Sequence, residues 1–298
     1  MHDFKAGPER YRLDEFLANE MTDVSVTRLR RLIADGDVVV NGVRSLKGRR
    51  LEDGDRVQLN DVSIEPTSAT PEPIALDVLF EDQDLICVNK PSGLLTHPSH
   101  SCKSGTLTNG LAHHFLTSAG HPIRAGLIHR LDRDTSGVMV IAKTLRAHRI
   151  LAKAFRERRV GKRYVGLLSG RVKDDDITII APIGCDPTIW PHWRVLDSGR
   201  PAVTQCTVKC RYAAHTLVEF APETGRTHQL RIHSALIGHP IVGDAIYGTD
   251  RDPLADTFGI HHHLLHANRL SFLHPTGGDE MTIEAPLPQT WRALLQGL

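Results

Sequence analysis

Hydrophobic and polar positions in the first part of the chain alternate in short segments that predict two helices. Leu13, Phe16 and Leu17 recur at helical spacing within residues 11–20, with polar residues between them. A second segment with the same periodicity spans residues 27–35, and its arginines are left for water or phosphate. Both helices are therefore expected to bury one apolar face and to expose a polar one.

Strand and turn signals follow the second predicted helix. Gly36 can end that helix in a left-handed conformation, and three consecutive valines at 38–40 are typical of a strand. The Asn-Gly pair at 41–42 is a strong signal for a tight hairpin. A turn at 53–55 then leads into a further strand at 56–59.

Beyond residue 75, apolar segments alternate with turns and predict more strands than long helices. The clearest helix there spans residues 145–155. Strands are predicted at 84–89, 138–142, 163–168, 203–210 and 216–220. Mixed strands with few helices between them indicate an α+β fold rather than a regular βαβ repeat.

A break in composition separates these two parts. Residues 63–75 contain three prolines together with Ser and Thr, which disfavour helix and central strand and favour an extended connector. The sequence therefore predicts a small domain at 1–62, a linker at 63–75 and a larger domain at 76–298.

Composition indicates a globular protein without a membrane segment. Apolar residues make up 40% and charged residues 24% of the 298 residues, which are ordinary values. The start has no apolar core of signal-peptide length, and the longest clean apolar run, at 138–142, is too short to span a bilayer. Five irregularly spaced cysteines are typical of reduced, mostly buried thiols. We expect a cytoplasmic monomer.

The net charge of +1 hides a strong local asymmetry. Residues 120–171 contain thirteen Lys and Arg residues but only three acidic residues, two Asp and one Glu. The segment therefore has a local excess of ten positive charges. A solvated helix surface would give the same count. The segment also holds the best candidate catalytic motif, however, and this favours an electrostatic footprint for phosphates.

That motif lies at residues 126–137 and places a carboxylate, Asp132, among arginines in a loop between apolar segments. Nearby arginines should keep Asp132 ionised with a lowered pKa, which suits nucleophilic or electrostatic work rather than general acid catalysis. By composition alone, a surface ion-pair cluster would look the same.

The order His129-Arg130-Leu131-Asp132, followed by Thr-Ser-Gly at 135–137, resembles the catalytic signature of the large ribosomal RNA pseudouridine synthases. The resemblance implies that Asp132 is the indispensable catalytic residue and that Asp134 is not. It also implies that Arg130 helps to extrude or replace the flipped base.

Two further segments match the same family in the right order. Residues 160–165 resemble its second motif, in which Tyr164 would lie against the target uracil. Residues 224–233 resemble its third motif, in which Arg231 would pair with the catalytic aspartate and Arg226 would contact phosphate or position the substrate. The resemblance covers nearly the whole chain. Residues 184–200 are the least familiar part, and either shape substrate choice or form a variable loop.

Residues 11–60 resemble the S4 RNA-binding domain, in which the second helix and the following hairpin face RNA. With eleven basic and twelve acidic residues in 1–62, the net charge of this part does not indicate RNA binding, so local clusters must carry it. The resemblance implies RNA contacts by Arg28, Arg31, Arg44, Lys47, Arg49 and Arg50.

The resemblance as a whole implies the isomerisation of uridine to pseudouridine in structured RNA, with large-subunit ribosomal RNA favoured because an S4-like domain is present. The reaction gains and loses no atoms apart from exchange of the C5 hydrogen, and no nucleotide-binding motif is found, so no cofactor is expected. Several histidines are potential zinc ligands, but no His-Glu-x-x-His spacing occurs and no metal is expected.

Three alternatives stay open at this point. The chain would also suit a non-catalytic RNA-binding factor of ribosome assembly, or a pseudouridine synthase that acts on tRNA. A hydrolytic nucleoside glycosidase would generally need a pair of carboxylates, and only Asp132 stands in a distinctive setting. Within the synthase hypothesis, attack on C1′ and removal of the C2′ proton by Asp132 are both possible.

Overall fold

The computed structural model describes residues 2–21, 24, 26–45, 48–59, 69–99, 102–121, 123–189, 192–248 and 252–298. Two helices and a small antiparallel sheet form its N-terminal part, with the strand order β1–β4–β2–β3. The elements are β1 (His2–Lys5), α1 (Leu13–Glu20), α2 (Val26–Asp35), β2 (Val38–Val40), β3 (Val43–Arg44) and β4 (Arg56–Leu59).

This part has an apolar core of its own, to which Leu13, Leu17 and Leu29 contribute fully buried side chains. Both predicted helices are confirmed, and so is the tight hairpin, because Asn41 and Gly42 adopt positive φ angles of 54° and 77°. The edge strand β1 was not predicted, since its His-Asp-Phe-Lys sequence has one apolar residue and therefore shows no period-two pattern.

The larger part follows an extended segment, residues 69–77, that has neither helix nor strand. Its strands are β5 (Val78–Glu81), β6 (Leu85–Lys90), β7 (Gly126–Leu127), β8 (Ser136–Ala142), β9 (Gly161–Ser169), β10 (Asp176–Ile180), β11 (Ile183–Cys185), β12 (Trp193–Val195), β13 (Val203–Arg211), β14 (His215–Pro222), β15 (Leu265–Leu273) and β16 (Glu280–Glu284). Its helices are α3 (Leu107–Ala119), α4 (Leu145–Arg156), α5 (Gln229–Leu236), α6 (Pro253–Thr257) and α7 (Gln289–Gln296).

One large sheet organises this part, with the order β10–β13–β14–β9–β15–β8–β6–β5, while β16 pairs with β15 and β7 with β8. Among the described strands every pairing is antiparallel except that of β15 with β8. The predicted mixed, mostly antiparallel sheet is therefore confirmed. Because His266 of β15 pairs with Ser136 of β8 on one side and with Val165 of β9 on the other, the loop before β8 and the middle of β9 lie in the same region.

A glycine permits the close approach of β8 and β15. Gly137 has a φ of +117°, and a Cβ atom built on it would lie 2.2 Å from the carbonyl oxygen of Ala267 on β15. No other residue type fits such a contact, so Gly137 fixes where the preceding loop enters the sheet.

One helix of the larger part was not predicted, and one expectation about its cysteines was wrong. Helix α3 was missed because Thr, Asn, Gly and His residues interrupt its buried face, which is formed by Leu107, Leu111 and Phe115. The cysteines are free, as expected, but only Cys87 and Cys206 are buried, and the other three lie at positions where the sheet or a loop meets solvent. None of the helices in the described residues is long and apolar enough to cross a membrane.

Candidate active site

The loop between β7 and β8 carries the first motif, and a buried histidine anchors its start. The Nε2 atom of His129 accepts a hydrogen bond from the backbone N–H of Val140 at 3.1 Å, and its ring stacks on Phe155 at 4.8 Å. Burial lowers the pKa of His129 to about 4, so the ring is neutral and free to accept. Asp132 follows three residues later, with about a fifth of its side chain exposed.

A buried lysine holds the same loop from behind. Lys90 is fully buried at the end of β6, and its Nζ atom donates to the carbonyl oxygens of Pro91, Leu94 and Arg133 at 2.9, 2.8 and 2.8 Å. Burial lowers the pKa of Lys90 to about 8, although Asp134 and Asp132 oppose the shift. Three carbonyl acceptors match the three N–H groups of an ammonium ion. This role of Lys90 was not predicted, although a lysine at the end of an apolar strand was the available signal.

Arg231, in the first turn of α5, lies between two carboxylates. Its Nε and Nη2 atoms donate to the two carboxylate oxygens of Asp244 at 2.7 and 2.8 Å, and Nη1 donates to Oδ2 of Asp132 at 3.4 Å. Arg231 thus has the expected neighbour, Asp132. Its closer partner is Asp244, which was not singled out from the sequence. Burial alone would raise the pKa of Asp244, but the hydrogen bonds from Arg231 lower it overall. Asp244 therefore fixes the guanidinium that faces Asp132.

Asp132, Arg231 and Tyr164 line one cavity of about 590 Å³. Tyr164 lies on β9 opposite Phe220 of β14. Burial, and next the charge of Asp132, raises the pKa of Tyr164 well above its usual range. A phenol, rather than a phenolate, is therefore the form that faces the cavity. The three residues predicted to be catalytic come from separate segments of the chain and line the same cavity.

The cavity wall is strongly basic. Its lining includes Asp132 and Glu223 as carboxylates, but many more cationic side chains. The lysine and arginine residues around it are Arg130, Arg156, Arg158, Lys162, Arg226 and Arg231. Arg130 is exposed, whereas Arg226 donates from Nε to the backbone oxygen of Pro201 at 3.1 Å. A positive potential of this kind attracts an anionic ligand such as a phosphodiester chain.

The residues predicted to contact RNA in the N-terminal part do not line this cavity. Arg28 and Arg31 lie on the exposed face of α2, and Arg49 is partly buried in an ion pair at 3.6 Å. Arg30, which was expected to be left for water or phosphate, instead donates to Asp14 at 2.7 Å, because that carboxylate is buried and needs a cation. Lys47 lies outside the described residues.

The histidines of the third motif bond to neighbouring protein groups. His233 is buried, and its two ring nitrogens contact Thr204 Oγ1 at 2.9 Å and the Ala181 oxygen at 3.1 Å. His228 contacts the hydroxyl of Tyr247 at 2.8 Å. Across the described ranges, no group of three or more His, Cys, Asp and Glu residues is arranged to hold a metal ion.

The described residues of the unfamiliar segment 184–200 do not line the catalytic cavity but pack behind residues that do. Strands β11 and β12 pair as a two-stranded hairpin. Trp193, at the start of β12, packs with Ile232 of α5 and with Tyr247 in a small apolar cluster. Because Tyr247 contacts both Arg231 and His228, the hairpin buttresses residues of the cavity.

Comparisons with known proteins show the family to which the chain is similar. The family model for RNA pseudouridylate synthase matches residues 84–236. A protein of Aquifex aeolicus described as an uncharacterised RNA pseudouridine synthase is 40% identical, over 99% of this chain and 96% of that protein. Ribosomal large subunit pseudouridine synthase D of Neisseria meningitidis is 41% identical, over 96% of this chain and 78% of that protein.

A solved structure shows the same likeness in three dimensions. Human RNA pseudouridylate synthase domain containing 4 superposes with a TM-score of 0.62 at 26% identity, and the match covers 74% of this chain and 92% of that one. The similarity in sequence extends over nearly the whole chain, and that in structure over most of it. The chain therefore belongs to the RNA pseudouridylate synthase family and is an enzyme that isomerises uridine to pseudouridine in RNA.

Proposed function

We propose that the enzyme modifies uridine in large-subunit ribosomal RNA and that Asp132 is its essential aspartate. The observation that carries the proposal is the position of Asp132 on the wall of a basic cavity, beside Tyr164 and 3.4 Å from the buried Arg231. The ribosomal target is supported by relatives named ribosomal large subunit pseudouridine synthase D, which are 41% and 36% identical to this chain.

The reaction breaks the C1′–N1 bond, turns the uracil and forms a C1′–C5 bond, and the C5 hydrogen leaves to solvent while one returns to N1. Asp132 acts at the ribose in this proposal. It either attacks C1′, and is displaced again when C5 bonds to that carbon, or removes the C2′ proton to give a glycal that is reprotonated later. Both routes return the carboxylate unchanged, as catalysis requires.

The neighbouring residues have separate roles in this scheme. Arg231 orients Asp132 through the contact of its Nη1 with Oδ2, and the guanidinium is itself fixed by Asp244. Tyr164 stacks on the uracil and assists departure of the C5 proton. Arg130, which is exposed at the cavity edge, occupies the space left by the flipped base. Flipping costs a few kcal/mol, which phosphate contacts made elsewhere offset.

Phosphate contacts are available along α4. Arg146, Arg149, Lys153 and Arg156 recur at spacings of three and four residues and therefore share one face of the helix. Arg156 lines both the catalytic cavity and a second cavity of about 1470 Å³. The described residues that line this second cavity include no Asp or Glu. RNA flanking the target uridine follows this basic surface in our proposal.

The second cavity extends to the first turn of α2, since Thr27 lines it, and Arg149 donates a hydrogen bond to the backbone oxygen of Ala18. In our proposal residues 1–62 form an S4-like RNA-binding domain, 63–75 the linker and 76–298 the catalytic domain. Contacts by Arg28, Arg31 and Arg49 extend the RNA surface, and Arg226 holds a phosphate at the catalytic cavity. The proposed enzyme acts as a monomer.

The choice of RNA is tested by tritium release from transcripts labelled at uridine C5. Wild-type enzyme is incubated with a large-subunit ribosomal transcript and, in parallel, with a tRNA transcript. Faster release from the ribosomal transcript is expected. Release from tRNA alone would overturn the proposed target, and release from neither RNA, with tight binding retained, would favour a role in ribosome assembly or a substrate presented only in a ribosomal particle.

The RNA path is tested by salt dependence. Lys153→Gln and Arg124→Gln alter exposed cations of the second cavity, and each should lower the slope of log Kd against log salt by about 0.7–0.9. Arg269→Gln, on β15 outside both cavities, is the matched control and should leave the slope unchanged. Equal slopes for all three variants would exclude this path.

A further inference from the structure

His228 has an unusual backbone at the edge of the catalytic cavity. It directly precedes α5 with φ +56° and ψ 19°, a left-handed conformation that costs a non-glycine residue about 1 kcal/mol or more. Its side chain is about one-fifth exposed and lines the cavity. Backbone strain of this kind is often found at functional sites, and it therefore points to a functional role for the His228 side chain.

A tyrosine determines which ring nitrogen of His228 carries the proton. Nδ1 lies 2.8 Å from the hydroxyl of Tyr247, and the two rings pack edge to face at 5.5 Å. The backbone N–H of Trp193 interacts with the oxygen of that hydroxyl, and burial raises the pKa of Tyr247 to about 12. The tyrosine therefore keeps its proton, and because its oxygen already accepts from Trp193, its O–H is available to donate a hydrogen bond to Nδ1. Burial also lowers the pKa of His228, so the ring is neutral with its hydrogen on Nε2.

The Nε2–H group faces the carboxylate of Asp132. Nε2 lies 3.9 Å from Oδ2, the same oxygen that Arg231 approaches at 3.4 Å. Within the described residues, Oδ1 accepts no hydrogen bond. Two donors are thus arranged on one oxygen, and the other oxygen is left for the ribose. Catalytic hydrogen bonds are often long in a free enzyme and shorten when substrate binds.

We propose that His228 is a further positioning residue of the reaction, whose Nε2–H donates to Oδ2 of Asp132 once RNA fills the cavity and so turns Oδ1 toward the ribose. Tyr247 maintains this tautomer, and the hairpin that contains Trp193 holds Tyr247. The inference rests on the proposed role of Asp132 and adds a second orienting group beside Arg231.

Two substitutions at His228 distinguish a role as hydrogen-bond donor from a role in packing alone. Asn tolerates the left-handed backbone, but its amide is too short to reach the position of Nε2, whereas Gln places an N–H group near it. We expect His228→Asn to lower kcat about 10–100-fold, as for loss of a hydrogen bond to a charged group, and to leave KM and the RNA dissociation constant unchanged. His228→Gln should recover most of kcat. Tm of both variants is measured as a control for folding.

The outcomes are distinguishable. Full activity of His228→Asn, an equal loss in both variants, or a loss confined to KM would overturn the inference. Asp132→Asn is assayed in parallel: if it stays active, the role of Asp132 fails and the inference falls with it. If Asp132→Asn is inactive while His228→Asn is fully active, the inference about His228 alone is wrong.

Discussion

Asp244→Asn should show how much the active-site geometry depends on a buried charge. Asp244 has no exposed side-chain surface, and it binds the nearly buried guanidinium of Arg231 through two hydrogen bonds of 2.7 and 2.8 Å. The substitution keeps the shape but removes the charge, and its amide N–H faces an N–H of Arg231. Breaking a buried pair from one side costs about 3–5 kcal/mol. Asp132 still offers Arg231 a partner, so we expect about 3 kcal/mol.

Urea unfolding measures this loss, and Glu284→Gln is the matched control. Glu284 pairs with Arg269 at the same distance, 2.7 Å, but both side chains are about half exposed, so its loss should cost less than about 1 kcal/mol. Activity of Asp244→Asn should also fall, on the order of 100-fold, because a loosened Arg231 no longer orients Asp132. Equal stabilities of the two variants would refute the argument that burial gives the pair its importance.

Three further predictions concern the loop that carries Asp132. Lys90→Met leaves three carbonyl oxygens without their donor and should cost about 3 kcal/mol in urea unfolding, with reduced activity; an unchanged unfolding midpoint would contradict it. Gly137→Ala should cost at least about 3 kcal/mol because its Cβ would meet the Ala267 oxygen, whereas Gly225→Ala, with open space around it, should be neutral. Burial lowers the pKa of His263 to about 4 from 6.5, so the unfolded chain binds more protons between these values and stability falls as the pH is lowered through that window. Unfolding measured at pH 6.5 and pH 5 should show a difference that His263→Asn reduces by about 1.5 kcal/mol, and an equal difference in both proteins would contradict the assignment.

The elements with a regular apolar period were predictable from the sequence. Helix α4 repeats its apolar residues at helical spacing, strand β8 is a continuous apolar run, and the Asn-Gly pair specifies a hairpin by its turn chemistry. Helix α3 was missed because polar and small residues that bond locally, such as Asn109, lie on its buried side. Strand β1 depends on pairing with β4, which is distant in sequence.

In the candidate site, too, some residues could be predicted from the sequence and others could not. Motif order brought out Asp132, Tyr164 and Arg231, and they share one cavity. Their supporting residues were not singled out, because a buried partner is recognisable only once the fold places it. For Asp244 and Lys90, neither the 2.7 Å pair nor the three carbonyl contacts can be deduced from the spacing of residues in the sequence.

The most direct test of the account compares Asp132→Asn with Asp134→Asn, two carboxylates of one loop. Asp134 pairs with Arg133 at 3.0 Å and does not line the catalytic cavity, so its variant controls for charge and folding. Tritium release and RNA binding are measured on the same ribosomal transcript. We expect Asp132→Asn to lose roughly 10³-fold or more in release but still to bind RNA, and Asp134→Asn to stay active. Substantial release by Asp132→Asn, or an equal loss in both variants, would contradict it.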